Sequence, residues 1–263
     1  MTNMLFIMCL ILVSTGNLAF SQDWEIAGQS KIGFSAGLSH LQVKDKTLNG
    51  LVHSGPGMGV AFFYSNSCCN YLQDLEIYGG ISFLQSKFET DMETYFLQGA
   101  LQYSLKRKIS RLIGKTDIYL GGQVKIDASQ GIYSNWDENH FYWLTSYCLG
   151  FNGHIGYQIS KKSTASVGLG LPLISMVSRS PEHQYFHEAN PDVGYILKAI
   201  NQNPALQFLT AHFNPELKLS VQSSIGKRFS VSLFWKFSYT YNDMKGSRDL
   251  YIINHTVGIG FLF

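Results

Sequence analysis

The sequence predicts a transmembrane, antiparallel, up-and-down β-barrel of about ten strands, preceded by a cleaved signal peptide. From residue 31 to the end, large apolar residues alternate with small or polar ones, which is the two-residue period of strands with one apolar face. Aromatic residues gather at the ends of these segments, as they do at the two interfaces of a membrane. Charged residues make up only 14% of the 263 residues, well under the ~25% of a soluble domain. A secreted soluble β protein is the alternative that this composition disfavours.

The first 21 residues have the pattern of a secretory signal. Residues 5–13 form an apolar run, which is far shorter than the about 20 residues of a transmembrane helix. Ala19 and Ser21 supply the small residues that signal peptidase prefers, so we expect cleavage after Ser21. The residues before the apolar run depart from the usual pattern because they include no Lys or Arg. The chain is thus divided into a signal peptide, 1–21, and one barrel domain, 22–263.

Ten segments carry the alternation. They lie near 31–41, 57–65, 74–86, 93–105, 115–127, 140–159, 164–177, 208–223, 229–241 and 251–263. Several exceed the about 9–11 residues that a tilted strand needs to cross a bilayer, and an even count is usual for single-chain bacterial barrels. Pro172 removes a ladder donor from the seventh segment, which predicts a bulge or bend there.

The last strand ends in Phe263, with Phe261 on the same apolar face. It resembles the final strand of bacterial outer-membrane barrels, in which the assembly machinery reads the terminal aromatic residue. Together with the signal, the Gln22 start and the aromatic-rich hairpins, residues 22–263 resemble the outer-membrane barrels of Bacteroidota. Residues 168–181, with leucines around Pro172, are similar to a strand-end pattern of uncharacterised members. The resemblance implies a location in the bacterial outer membrane, contact with outer-membrane lipid and barrel-assembly machinery as a partner, and it transfers no functional residues.

The connections predict an orientation. One set of connections is mostly short, and several of its members are basic: 65–74, 106–115, 160–163 and 224–228. The other set is expected to face outward and is longer: 42–56, 89–92, 129–139, 179–207 and 242–249. Outer-membrane barrels have short periplasmic turns and longer extracellular loops. We therefore expect both termini in the periplasm and a long extracellular loop at 179–207, and loops of that length tend to be functional or mobile.

The second face of the strands is expected to line the lumen. It carries a predicted polar network of Glu76, Asp117, Lys125, His154, His212, Glu216, Lys218 and Lys236. A barrel of about ten strands is narrow, since about eight strands already enclose just enough room for side chains. Charges inside must pair, because an unpaired buried ion is very costly. The network is interpreted as a plug that largely fills the lumen, and a narrow small-solute pore is the alternative.

The sequence does not decide between a non-enzymatic and an enzymatic function. Some outer-membrane barrels are proteases, phospholipases or lipid A modifying enzymes with His, Ser and acidic residues near the outer rim. His140, beside Asp137 and Glu138, and His212, which faces inward with Asn214, are the weak catalytic candidates. The sequence has neither the His-x-Ser pair of lipid A deacylases nor the Asp arrangement of omptin proteases. We therefore expect a non-enzymatic structural or accessory subunit, and a lipid-modifying hydrolase or a protease is the alternative.

Cysteines, histidines and net charge point to no further ligand. Cys68, Cys69 and Cys148 remain after cleavage, and an odd number excludes a complete disulfide framework. His183 and His187 have the four-residue spacing of a helical metal pair but lie in no zinc-protease motif. Neither a metal nor a cofactor is predicted. The net charge of +2 is too small to suggest a nucleic-acid partner, while a protein partner in an envelope complex is open.

Overall fold

The structure of the protein is a computed structural model that describes residues 29–46, 50–68, 70–86, 94–112, 116–133, 140–180, 184–185, 203–225, 229–243 and 249–263. The predicted signal peptide, Cys69, His183, His187 and most of the 179–207 loop lie outside these residues. Within the described ranges, no helix is long and apolar enough to cross a bilayer.

The described residues form thirteen strands in one antiparallel sheet. They are β1 (Gln29–Asp45), β2 (Val52–Cys68), β3 (Tyr71–Ser86), β4 (Thr94–Leu112), β5 (Thr116–Tyr133), β6 (His140–Gln158), β7 (Ser163–Arg179), β8 (Gln184–Tyr185), β9 (Ala205–Phe208), β10 (His212–Phe213), β11 (Glu216–Ile225), β12 (Phe229–Asn242) and β13 (Leu250–Leu262). Ten of them have 10 to 19 residues. These ten pair in chain order, and β1 pairs with β13, which closes the barrel. The predicted fold is confirmed.

The barrel has two unlike ends. Gln29, the first described residue, and Phe263 lie at one end, the turn end, together with the short connections at 69–70, 113–115, 159–162 and 226–228. The longer connections lie at the other end, the loop end. The turn expected at 106–115 was wrong, because β4 continues to Leu112 and Lys106 points into the lumen with 4% exposure. Lys106 remains in the strand because its ammonium forms an ion pair with Asp74 on β3.

The eighth predicted strand, near 208–223, was wrong in its extent. It is divided into β9, β10 and β11. β9 pairs with β7, β10 pairs with β12, and β11 pairs with both. The interruption has two causes: Ala211 N–H donates to the Phe208 carbonyl at 2.9 Å and closes a turn, and Pro215 has no N–H for the ladder.

The predicted bulge at Pro172 is confirmed. Gly150 pairs with Pro172 and Leu149 with Ile174, so Leu173 is the extra residue on β7. A bulge of one residue reverses which side chains of the strand face inward. Gly150 is required beside it, because a Cβ there would lie 2.2 Å from the Leu171 carbonyl oxygen.

The reversal brings the end of β7 into the lumen. Before the bulge, Gly168 and Gly170 lie on the lumen face opposite Lys218 and Gln123. After it, Ser175, Val177 and Arg179 are buried at 1%, 0% and 2% exposure. Arg179, which the sequence assigned to the start of a loop, is thereby an inward-pointing lumen residue.

The outer wall is apolar. Leu38, Val60, Leu233 and Val257 expose more than 60% of their surface. Near the turn end, Phe34, Phe229, Phe261 and Phe263 form a group of rings with centroids 5.2 to 6.3 Å apart. Near the loop end, Tyr241 and Tyr251 are 5.2 Å apart. An apolar band between two aromatic girdles is the surface that a barrel presents to lipid.

Aromatic side chains inside the barrel lie against glycines of their own or a neighbouring strand. A Cβ on Gly59 or Gly80 would lie within 2.6 Å of the Tyr78 side chain, and a Cβ on Gly258 would lie 2.5 Å from the Phe234 ring. These glycines therefore allow the two rings to lie flat on the lumen wall. The packed rings narrow the lumen around the charged side chains in its middle.

Candidate functional site in the barrel lumen

Six charged side chains form a continuous row across the middle of the lumen. The row, called here the ionic chain, runs Asp127–Lys125–Glu216–Lys236–Glu76–Lys218, with successive N–O distances of 3.0, 2.6, 3.4, 3.3 and 3.1 Å. Three carboxylates balance three ammonium groups. The residues come from β3, β5, β11 and β12, which lie on different sides of the barrel, so the ionic chain joins opposite walls.

The ionic chain is most deeply buried near its Asp127 end. The Lys125 side chain is 3% exposed and Glu216 14%, whereas Lys218, at the other end, is 42% exposed. Asn214 Nδ2 donates a hydrogen bond to Asp127 at 3.1 Å. Lys236 lies 5.7 Å from the centre of the Tyr78 ring, a cation–π contact that partly replaces lost hydration.

The structure brings together Glu76, Lys125, Glu216, Lys218 and Lys236 from the predicted network and adds Asp127. Asp117 lies elsewhere, because it pairs with Lys108 at 2.6 Å near the turn end. His154 lies in the turn-end half beside the Tyr119 ring, 6.1 Å away, and His212 lies near the loop end. The sequence already places Asp127 on the lumen face, since it is two residues from Lys125 on the same strand.

A layer of amide side chains lies next to the ionic chain on its turn-end side. Gln123 Oε1 accepts hydrogen bonds from Gln102 Nε2 at 3.0 Å and from Asn152 Nδ2 at 2.8 Å. Gly170 gives Gln123 its room, since a Cβ there would lie 3.0 Å from Gln123 Oε1. The amide layer joins the adjacent strands β4, β5 and β6 along one part of the lumen wall.

The turn-end half of the lumen holds a polar chamber of about 240 Å³. Its wall includes the Lys106–Asp74 ion pair, His154, and Ser166 with its hydroxyl 2.7 Å from that of Ser220. On the loop-end side of the ionic chain, a second cavity has a volume of about 70 Å³, which is room for a few water molecules. The larger of these two cavities is thus on the turn-end side.

A buried ion pair crosses the mouth at the loop end. Arg179 Nη2 donates to Asp45 Oδ1 at 3.0 Å, and the two side chains are 0% and 1% exposed. Arg179 also donates to the backbone carbonyl of Asn242 at 3.4 Å and lies 5.9 Å from the centre of the Tyr142 ring. β7 and β1 are four strands apart around the barrel, so this pair spans the opening.

Apolar side chains fill the lumen beside this pair. They are Leu41, Val43, Leu84, Phe96, Tyr142, Leu144, Val177, Leu250 and Ile252, each at most 5% exposed. The cluster and the Arg179–Asp45 pair are called here the loop-end seal. The expectation of a polar inner face was therefore wrong for this part of the lumen. Apolar burial removes these side chains from water and needs no polar partner.

The two catalytic candidates have different surroundings. His212 is 1% exposed, with Nδ1 3.4 Å from Asn242 Nδ2, which also donates to Gln207 Oε1 at 2.7 Å. His212 is thus enclosed by protein. His140 begins β6 and pairs with Tyr133 and Tyr185 through the backbone, and its side chain lies outside the described residues. In the described ranges, no three His, Cys, Asp or Glu side chains are grouped to hold a metal ion.

Comparison with known proteins identifies the fold. No family model matches the chain, and no curated protein matches it. Among solved structures, the chain is similar to the outer membrane protease OmpT from Escherichia coli, with 8% identity, 90% of this chain and 95% of that chain covered, and a TM-score of 0.53. It is also similar to the translocator domain of the autotransporter NalP from Neisseria meningitidis, with 10% identity, 100% and 95% covered, and a TM-score of 0.49.

At such low identity, the likeness concerns the fold. A closed ten-stranded sheet with an apolar outer band between aromatic girdles satisfies every backbone group internally, as a structure in lipid must. The chain is an integral β-barrel of the bacterial outer membrane.

Proposed function

We propose that the protein is a non-enzymatic structural or accessory barrel whose lumen is closed to solutes. The observation that carries this proposal is the succession of two barriers along the lumen, the ionic chain and the loop-end seal. Opposite walls are joined by ion pairs at two levels, by Lys125–Glu216 in the middle and by Arg179–Asp45 at the mouth. Such bracing favours a rigid, filled barrel over a conducting one.

The proposed orientation places the turn end in the periplasm. This follows the general asymmetry of outer-membrane barrels, whose shorter turns are periplasmic. Of the loop predicted at 179–207, residues 186–202, between β8 and β9, then lie at the cell surface. They are the proposed contact for a protein partner in an envelope complex. Phe261 and Phe263 lie at the periplasmic end, where Phe263 is 60% exposed, and we assign them to recognition by the barrel-assembly machinery.

Wild-type protein in planar lipid bilayers is expected to give no conductance steps. Lys236→Ala should also be silent, because it removes two contacts of the ionic chain and leaves the loop-end seal in place. The triple variant Lys236→Ala/Phe96→Ala/Tyr142→Ala thins both barriers and should give steps. Heat-modifiable mobility in gels checks that each variant is folded. Wild-type steps as large as those of the triple variant would contradict the closed lumen and favour the small-solute pore.

Tagged protein purified from membranes in mild detergent is expected to retain a partner protein. Replacing residues 186–202 with a glycine–serine segment of equal length should release that partner, because the long loop is the proposed contact. Replacing residues 134–139 in the same way is the matched control and should leave the partner bound. No co-purifying protein, or retention after the 186–202 replacement, would contradict the accessory role.

A further inference from the structure

Basic side chains in the loop-end half of the outer wall occur at one place. Among the described residues of the barrel strands, they are His40 and Lys44 on β1 and His255 on β13, and no acidic side chain faces outward there. His40 and His255 are direct partners in the β1–β13 register, and Lys44 pairs with Tyr251. The three residues therefore form one patch on two adjacent strands, called here the basic column.

The basic column has a polar and an aromatic side. Gln42, between His40 and Lys44 on the same face, has its Nε2 3.5 Å from His40 Nε2. The His255 ring lies 5.0 Å from the Phe237 ring and 6.0 Å from Trp235. These contacts hold the imidazole against the wall, so the column is a fixed surface.

Lys44 is the cation of the column that is available for a ligand. Within the described part of the chain, it forms no ion pair. Its neighbour Lys46 is held by Asp249 at 2.5 Å, a hydrogen bond that lowers the pKa of the Asp249 carboxyl. Lys44 is level with Tyr251 in the loop-end girdle, and such girdles lie at the depth of lipid headgroups. His40 is four residues deeper, or about 13 Å along the strand.

An apolar groove begins below the column on the same side of the barrel. This outer-wall depression has a volume of about 700 Å³. It is lined by Leu38, Met58, Val60, Ile81, Leu233 and Val257. Gly79 forms part of its floor, and a Cβ on Gly79 would meet no atom within 4 Å. Leu38 and Val257 are each two residues from a histidine of the basic column, so groove and column are continuous.

We propose that this face binds a membrane lipid with an anionic phosphate headgroup. Lys44 contacts the phosphate, and Gln42, two residues deeper on the same face, donates a hydrogen bond to an acyl-linkage carbonyl. His40 and His255 lie deeper still, beside the start of the acyl chain. An acyl chain occupies the groove. The charge above the groove selects the headgroup, because basic clusters beside a membrane attract anionic lipids. The inference rests on the integral barrel and is independent of whether the lumen conducts.

Native mass spectrometry of the full-length protein in detergent tests the headgroup contact. Phosphatidylglycerol should be retained more strongly than phosphatidylcholine with the same acyl chains. Lys44→Gln should weaken the retention of phosphatidylglycerol about fivefold, since one basic side chain near an anionic surface contributes about 1 kcal/mol. Arg107→Gln, which removes an exposed cation near the turn end of β4, is the matched control. Equal losses in the two variants, or equal retention of the two lipids, would overturn the proposal.

A second arm separates a lipid from free phosphate. Gly79→Leu should fill the groove without a clash, because the space above Gly79 is open, and it should reduce the retention of phosphatidylglycerol while heat-modifiable mobility stays unchanged. A large excess of inorganic phosphate should leave the lipid bound. Displacement by inorganic phosphate, or full retention in folded Gly79→Leu, would show that no acyl chain contributes and would overturn the proposal.

Discussion

Arg179→Met is expected to lower the free energy of unfolding by about 3–5 kcal/mol, the usual cost of removing one partner from a buried ion pair. Arg179 Nη2 lies 3.0 Å from Asp45 Oδ1, and neither side chain is more than 1% exposed. Methionine keeps much of the apolar stem of the arginine, so the loss of stability reports on the removed positive charge. Urea titration of the refolded barrel in lipid vesicles, followed by tryptophan fluorescence, measures the change.

Two controls separate the ion pair from packing. The double variant Arg179→Met/Asp45→Asn should recover a large part of the loss, because the buried carboxylate is removed together with its partner. Lys46→Met should leave the unfolding midpoint nearly unchanged, since the Lys46–Asp249 pair is 43% and 27% exposed and surface pairs contribute little. A midpoint for Arg179→Met equal to that of the wild type would contradict a structural role for the loop-end seal.

The strands and their closure could be predicted from the sequence because a period of two is a local signal. Each strand alternates between lipid and lumen, and the apolar half of the pattern is read directly from residues such as Leu38 and Val257. Nine of the ten predicted strands match long strands of the described chain, with ends that differ by up to seven residues. Barrel closure then follows, because a lipid-exposed sheet edge is not tolerated.

The end of β7 could not be predicted in the same way. Pro172 predicted a bulge, but the reversal of faces depends on which residue is extra, and this is decided by the pairing of Gly150 with Pro172 and Leu149 with Ile174. Without that register, Arg179 could be assigned only to a loop. The register of a strand with its neighbour is a tertiary property, since a slip by one residue exchanges the faces.

The sequence predicted most of the charged residues that line the lumen but not which of them contact each other. Spacing along one strand placed Glu216 and Lys218 on one face. The partners, however, lie across the barrel: Glu216 contacts Lys125 on β5, and Lys218 contacts Glu76 on β3. Contacts between opposite walls depend on strand tilt and stagger. The loop-end seal was missed for a different reason: apolar residues on both faces, such as Leu38 and Leu41, hide which one points inward.

Lys125→Met is expected to lower the free energy of unfolding by about 3–5 kcal/mol, because its buried ammonium holds two partly buried carboxylates. Lys125 Nζ lies 3.0 Å from Asp127 and 2.6 Å from Glu216, and its side chain is 3% exposed. Removing it leaves two like charges close together at low dielectric, where their repulsion is strong. The same urea titration in vesicles measures this loss.

Lys218→Met is the matched control, because Lys218 ends the same ionic chain and contacts Glu76 with a 42% exposed side chain. We expect a loss of about 1 kcal/mol or less, since water from the turn-end chamber screens this pair. If Lys125→Met lowers the free energy of unfolding much more than Lys218→Met does, water must be excluded around Lys125. Equal, small losses would instead mean that water screens the whole row of charges, and a hydrated lumen is the condition that the pore alternative needs. The stability of these two variants therefore bears on conductance as directly as a bilayer recording does.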